Sequence, residues 1–148
     1  MTSKTTPHLR SDYRWFTEIS TRWADNDVYG HINNVVYYAF FDTAVNQFLI
    51  HRKVLDIHHG LQIGLVIETG CNYFLPLAFP QPIKAGIRVT KLGTSSVRYE
   101  VALFADGSEH AAAQGHFVHV YVNKMTRRPE PLNSSLRDCL QSIFVDSI

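Results

Sequence analysis

The sequence predicts an α+β domain in which an antiparallel sheet of about five strands wraps around one long central helix. Three observations carry this reading. The stretch "VVYYAFFDTAVNQFLIHR" places Tyr37, Phe41, Ala44 and Phe48 on one helical face, and Tyr38, Val45 and Leu49 widen the stripe. Its first two turns are apolar nearly all round, so the helix must be enclosed rather than laid on a surface. Strand-like runs then follow one another to the end of the domain and supply the enclosing layer. Finally, 148 residues with 45% hydrophobic and 18% charged side chains suit one domain with a real core.

Taken in order, residues 1–12 are polar, carry Pro7 and read as a loose tail, which leaves residues 13–148 as the domain. Trp15, Thr17, Ile19 and Thr21 alternate with Glu18, Ser20 and Arg22, the pattern of a first strand. The polar stretch "RWADNDVYGHINN" precedes the helix and offers Asn33 or Asn34 as its cap. Next come "GLVIETGCNYFLPLAF", "PIKAGIRVTKLG", "SSVRYEVALFAD" and "EHAAAQGHFVHVYVNK", separated by the turn sequences "PQP", "GTS" and "DGS". Within them Ile83, Ala85, Ile87 and Val89 alternate with Lys84, Gly86, Arg88 and Thr90, as in a sheet with one buried and one wet face. A connector containing Pro129 and Pro131 leads into "NSSLRDCLQSIF", a short terminal helix capped by Asn133 or Ser134.

The formal net charge of +1 gives no broad field for nucleic acid, so any anion site must be local. Cys71 and Cys139 lack metal-type spacing, and "MTSKTTPHLRSDYRWF" lacks the apolar core of a secretion signal, which points to the reducing cytoplasm. No apolar run approaches the roughly 18 residues of a membrane span, so no membrane partner is expected. His116 and His119, three apart on a strand, point to opposite faces, and His51, His58 and His59 match no ligand pattern; no metal site is expected.

The segment "DNDVYGHINNVVYYAFFD" closely resembles the signature of hydroxybenzoyl-CoA thioesterase-like acyl-CoA thioesterases, which have the hotdog fold. In that family an aspartate, a nearby glycine and often a His-Asn-Asn triplet lie just before the central helix. The resemblance runs from about Trp15 to Arg137, and "NYFLPLAFPQPI" and "TRRPEPL" match weaker family habits. It departs at Leu75, where a basic residue is usual, and at Asn72, where an acidic one is frequent. The resemblance implies hydrolysis of an acyl-CoA or acyl-carrier thioester, coenzyme A entering only as part of the substrate, and a homodimer or homotetramer. It puts the catalytic carboxylate at Asp27, as nucleophile or general base, with Asp42 on the helix in reserve.

A helix start leaves backbone N–H groups without intrahelical partners and carries partial positive charge, so a thioester carbonyl at Asn34 would be polarised there. One such donor is worth roughly 10²–10³ in rate. Asp25 reads as a support for the loop. Gly30 supplies an unusual backbone angle or lets substrate approach. His31 is a secondary candidate that could orient the loop or meet the thioester sulfur. Tyr37 and Phe41 are candidates for an acyl pocket, although aromatic residues at this spacing usually belong to a core. For the phosphates of coenzyme A the candidates are Arg88 and Arg98, flanked by Lys84 and Lys91, with Ser95 and Ser96 in the adjoining turn. Two rivals share the fold: an enoyl-CoA hydratase using Asp27 and His31, and a binding module for acyl-CoA or acyl-carrier thioesters without turnover.

Overall fold

The computed structural model describes residues 5–56 and 58–146. Five strands, β1 (Trp15–Ile19), β2 (Gln62–Tyr73), β3 (Ile83–Leu92), β4 (Ser96–Ala105) and β5 (Ala113–Asn123), form one antiparallel sheet. Helix α1 (Val36–His51) lies against its concave side, and α2 (Ser134–Gln141) closes one end with Asn133, one of the two caps the sequence offers, its side chain accepting from the Leu136 N–H. This is the hotdog architecture. The strand order is β1-β3-β4-β5-β2. Thus β2 does not pair with β3, which follows it in sequence; the chain crosses the sheet through residues 74–82, and β2 becomes an edge strand beside β5.

Helix α1 holds its place by packing. Its aromatic and β-branched residues each cost up to about 0.7 kcal/mol in helix propensity. Burying Phe41 and Phe48 completely returns roughly 1.5–3 kcal/mol apiece, so burial decides the outcome. The approach is close: a Cβ on Gly115 of β5 would collide with the Phe41 ring, so a glycine is required there. One flank of α1, with Ala39, Asp42 and Thr43, stays exposed in the single chain, so the enclosure predicted from sequence is incomplete.

Several predicted boundaries move; β5 begins at Ala113 rather than Glu109, and two strand ends have clear causes. Strand β1 ends at Ile19, because Arg22 and Asp25 close a 3-10 turn over Trp23–Asp25. Strand β2 ends at Tyr73, after which Phe74 and Leu75 both donate to the Ala112 carbonyl and the chain turns away. The N-terminal segment also differs from the loose tail expected. Residues 1–4 fall outside the described residues, but residues 5–13 dock on the convex face of the sheet. There the Gln114 side chain bonds both the His8 N–H and the Thr6 carbonyl, and Arg10 reaches the Ala105 and Ser108 carbonyls. Tyr13, Phe16, Ala102, Phe104 and Ala111 form a second small core beneath it. Composition alone hid this, because the partners that fix the segment, Gln114, Ala105 and Ser108, are about a hundred residues away in sequence.

Candidate active site

The polar stretch before α1 is held from below by Asp25. Its carboxylate is fully buried, accepts from the Arg22 N–H at 2.8 Å and pairs with the Arg22 guanidinium at 2.9 Å, while its carbonyl accepts from the Asn33 N–H at 2.9 Å. This is the supporting role expected of it. Ile32 N–H donates to the Leu77 carbonyl at 2.7 Å and the Asn26 side chain accepts from Phe79 N–H at 2.9 Å, which pins the loop to the crossover segment.

Asp27 closes a tight loop on itself. Its N–H donates to the His31 carbonyl at 2.8 Å, and one carboxylate oxygen accepts from the N–H groups of Tyr29 at 2.9 Å and His31 at 3.4 Å. The second oxygen has no partner among the described residues. Gly30 turns this loop at φ +84°, with open space where a Cβ would stand, so backbone conformation accounts for the glycine.

At the helix start the cap lies elsewhere than expected. Val35 occupies the N-cap position without a side-chain bond, and Asn33 serves from outside it: its side-chain oxygen accepts from Val35 N–H at 3.1 Å and its carbonyl from Val36 N–H at 2.9 Å. The bond from Asn33 N–H to Asp25 holds Asn33 to the loop, so the helix begins beyond it. The Asn34 carbonyl accepts from the Tyr73 hydroxyl at 2.8 Å. From Ile32 to Tyr37, Asn34 alone has a backbone N–H with no acceptor among the described residues.

Beside that N–H lies an open apolar hollow of about 260 Å³, lined by His31, Ile32, Asn34, Tyr37, Tyr73 and Leu75. The Tyr37 and Tyr73 rings meet edge to face at 4.9 Å, and desolvation raises both hydroxyls above the ordinary tyrosine value. Of the residues predicted for the site, His31, Asn34 and Tyr37 come together here. Asp27 adjoins them through its bonds to His31 but does not line the hollow. Phe41 is fully buried core, and Asp42 lies on the exposed flank of α1, accepting from Asn46. Sequence reasoning missed Tyr73 as a partner of the helix start; its place in a Tyr-x-x-Pro run was the available signal.

The proposed phosphate strip is not a free cationic surface. Arg88 pairs with Glu100 at 2.7 Å, and Arg98 bonds the other Glu100 oxygen at 3.2 Å and approaches Glu68 at 3.7 Å. Arg88 also donates to the Asp12 carbonyl and stacks over Tyr13. Glu100 faces Arg88 across the β3–β4 pair and sits two residues along β4 from Arg98, so it serves both cations. Ser95 and Ser96 shape the β3–β4 turn, which meets β5 near Val120 and Tyr121, whereas Tyr73 meets it at Ala113. Within one chain those serines are therefore at the far end of the sheet from Asn34.

Burial pushes the Glu100 carboxyl up, but Arg88 and then Arg98 more than offset it and leave it below the usual glutamate value. A lowered folded value means the pair stabilises above the unfolded glutamate's titration and stops doing so as pH falls through the folded one. Arg88→Ala is therefore expected to cost about 1–3 kcal/mol at pH 7 and progressively less as the pH falls below the ordinary glutamate range. Denaturant titrations across that range check this; an equal cost throughout would exclude the ion pair as its source.

His116 and His119 do point to opposite faces. His116 bonds Glu68 at 2.9 Å on the convex side, while His119 is buried on the concave side against Tyr99 and Phe117. Among the described residues no three His, Cys, Asp or Glu side chains are grouped as a metal ion would need, and no helix is long and apolar enough to cross a membrane.

Residues 21–140, which include the Asp27 loop, α1 and the whole sheet beyond β1, match the thioesterase-like superfamily. The chain belongs to that superfamily. Among solved structures it is similar to the PA5185 protein from Pseudomonas aeruginosa strain PAO1, with 54% identity, a TM-score of 0.93, and 96% of this chain and 99% of that one covered. A thioesterase from Thermus thermophilus, complexed with coenzyme A and Zn, shares 27% identity at a TM-score of 0.72, covering 86% of this chain and 92% of that one. A 1,4-dihydroxy-2-naphthoyl-CoA thioesterase from Synechocystis shares the fold at 15% identity and a TM-score of 0.77, with 85% and 94% covered. No curated protein matches the chain. Thioesterase-like membership gives the loop and helix start a common chemical context.

Proposed function

We propose that the chain is an acyl-CoA thioesterase that hydrolyses a thioester to a free acid and coenzyme A. The observation that carries this reading is the unpartnered Asn34 N–H beside an apolar hollow. An acyl group in the hollow would bring its carbonyl to that donor, worth roughly 10²–10³ in rate as the oxyanion develops. The free oxygen of Asp27 then follows one of two routes. It attacks the carbonyl carbon, breaking the C–S bond to expel the coenzyme A thiolate and leave a mixed anhydride that water cleaves to the free acid. Otherwise it takes a proton from a water that attacks the same carbon and expels the thiolate. His31, whose carbonyl accepts from the Asp27 N–H and whose N–H donates to the Asp27 carboxylate, holds that carboxylate next to the hollow's rim. The named complex of the Thermus relative with coenzyme A supports the substrate class. The reading needs no cofactor beyond the coenzyme A that the substrate carries.

A panel of aliphatic and aromatic acyl-CoA esters, assayed for released thiol, tests the proposal. Thiol release in proportion to enzyme is expected. Tight acyl-CoA binding with no thiol release would make the protein a binding module, and water addition to enoyl-CoA would make it a hydratase.

We further propose that the working form is a homo-oligomer, at least a dimer, built on the β2 edge. Strand β2 leaves one side without a neighbour and exposes Leu65, Val66 and Ile67 in succession. A long apolar edge is a ready template for a second strand, and a second copy would cover it and the exposed flank of α1. Ile67→Lys is expected to shift sedimentation from dimer or larger toward monomer. A wild-type protein that is monomeric and fully active at micromolar concentration would overturn this.

A further inference from the structure

The peptide groups around Asn34 are tied down by backbone bonds and by two side chains, those of Tyr73 and Asn33. The Asn34–Val35 peptide is gripped at both ends: its carbonyl accepts from the Tyr73 hydroxyl at 2.8 Å and at longer range from the Tyr37 N–H at 3.4 Å, and its N–H donates to the Asn33 side chain at 3.1 Å. The peptide before it is fixed through the Asn33 carbonyl, which accepts from Val36 N–H at 2.9 Å, and Asn33 N–H is held by Asp25 at 2.9 Å. Asn34 and Val35 are themselves exposed, so no packing of their side chains would otherwise hold these planes. The Tyr73 bond spans 39 residues and joins the end of edge strand β2 to the first turn of α1.

We propose that Tyr73 and Asn33 are positioning residues: by clamping the Asn34–Val35 peptide they fix the backbone of Asn34 from its C-terminal side, so that the N–H on its other side, in the Asn33–Asn34 peptide, stays aimed at the substrate carbonyl. This rests on the thioesterase reading above and adds the residues that preorganise its donor. A donor stabilises a developing oxyanion only if its direction is set before the charge appears, because reorientation during the step would spend the gain. The clamp acts through hydrogen bonds alone. Desolvation, then Cys71 and Tyr38, hold the Tyr73 hydroxyl protonated well above neutral pH, so it remains a donor. The Tyr73 ring also lines the hollow, and a change that removes only the oxygen separates the two roles.

Tyr73→Phe keeps the ring against Tyr37 and, because Tyr73 is 44% exposed, leaves the Asn34 carbonyl within reach of water. With the best acyl-CoA ester, kcat is expected to fall about tenfold, with KM within about twofold and an unchanged melting temperature. Asn33→Ala should lower kcat similarly, while Asn33→Asp, which keeps an acceptor for Val35 N–H, should restore most of it. Full kcat in Tyr73→Phe, or a loss that follows the fraction of unfolded protein, would overturn the clamp. Failure of Asn33→Asp to recover activity while folded would do the same. Wild type measured in the same assay separates the two claims: no thiol release there defeats the thioesterase reading, whereas normal wild-type turnover with an unaffected Tyr73→Phe defeats only the clamp.

Discussion

Asp27→Asn is expected to lower thioester turnover by about 10²–10⁴ if Asp27 is a general base, and by more if it is the nucleophile. The substitution is nearly isosteric. The oxygen that accepts from Tyr29 and His31 N–H is retained in asparagine, and so are both backbone bonds of Asp27, so the loop should keep its shape. What disappears is the charge on the oxygen that no described residue engages. Binding should survive, because Ile32, Tyr37, Tyr73 and Leu75 still line the hollow and Asn34 still offers its N–H. Asp42→Asn is the comparison, since it alters an exposed helical carboxylate bonded only to Asn46. If Asp42→Asn abolishes turnover and Asp27→Asn stays near wild type, the working carboxylate is on α1. If neither slows hydrolysis while both remain folded, the mechanism built on this loop fails.

How much of this was legible in the sequence depends on whether the information was local. The apolar stripe of α1, the buried positions Ile83, Ala85, Ile87 and Val89 of β3, and Asn133 as one of two possible caps each follow from residues within a turn or two and stand as read. The wet face expected of β3 does not stand, because Gly86 is covered by Tyr13 and Phe16 and Thr90 is buried as well. The pairing of β2 was not legible: alternating strands look alike whichever neighbour they choose, and only the folded sheet shows β2 beside β5. The candidate site divides the same way. Asn34 and His31 meet Tyr37 because they are close in sequence, but Tyr73 reaches Asn34 across a strand and a helix. The basic strip went wrong partly for that reason. Glu100 meets Arg88 only once β3 and β4 are side by side, and Glu68 approaches Arg98 only in the assembled sheet, whereas the Arg98–Glu100 pair, two residues apart on β4, was within reach of the sequence.

Acidification should expose a second non-local feature, the neutral imidazole of His119. At 5% exposure, with no partner for either ring nitrogen among the described residues, it lies among Tyr99, Phe117 and Tyr121, and its carboxylate neighbour is Asp42 on α1. Desolvation lowers its pKa from 6.5 to about 4, and Asp42 pulls weakly the other way. The unfolded chain therefore binds a proton below the ordinary histidine value, while the folded protein refuses it until near the lowered one. Stability from this group is complete above pH 6.5, declines as pH falls toward about 4, and then levels off. The shift corresponds to a loss of about 3 kcal/mol, a large share of the stability of a domain this size. His119→Phe preserves an aromatic ring against Phe117 and removes both the titration and the unpaired nitrogens. Denaturant unfolding between pH 7 and pH 4 should show the wild type losing stability faster than His119→Phe. Asp42→Asn, by removing the one charge that favours protonation, should steepen the wild-type decline slightly. Parallel curves for wild type and His119→Phe would mean that His119 takes up its proton as readily folded as unfolded, and that the concave face of β5 is wetter than its packing implies.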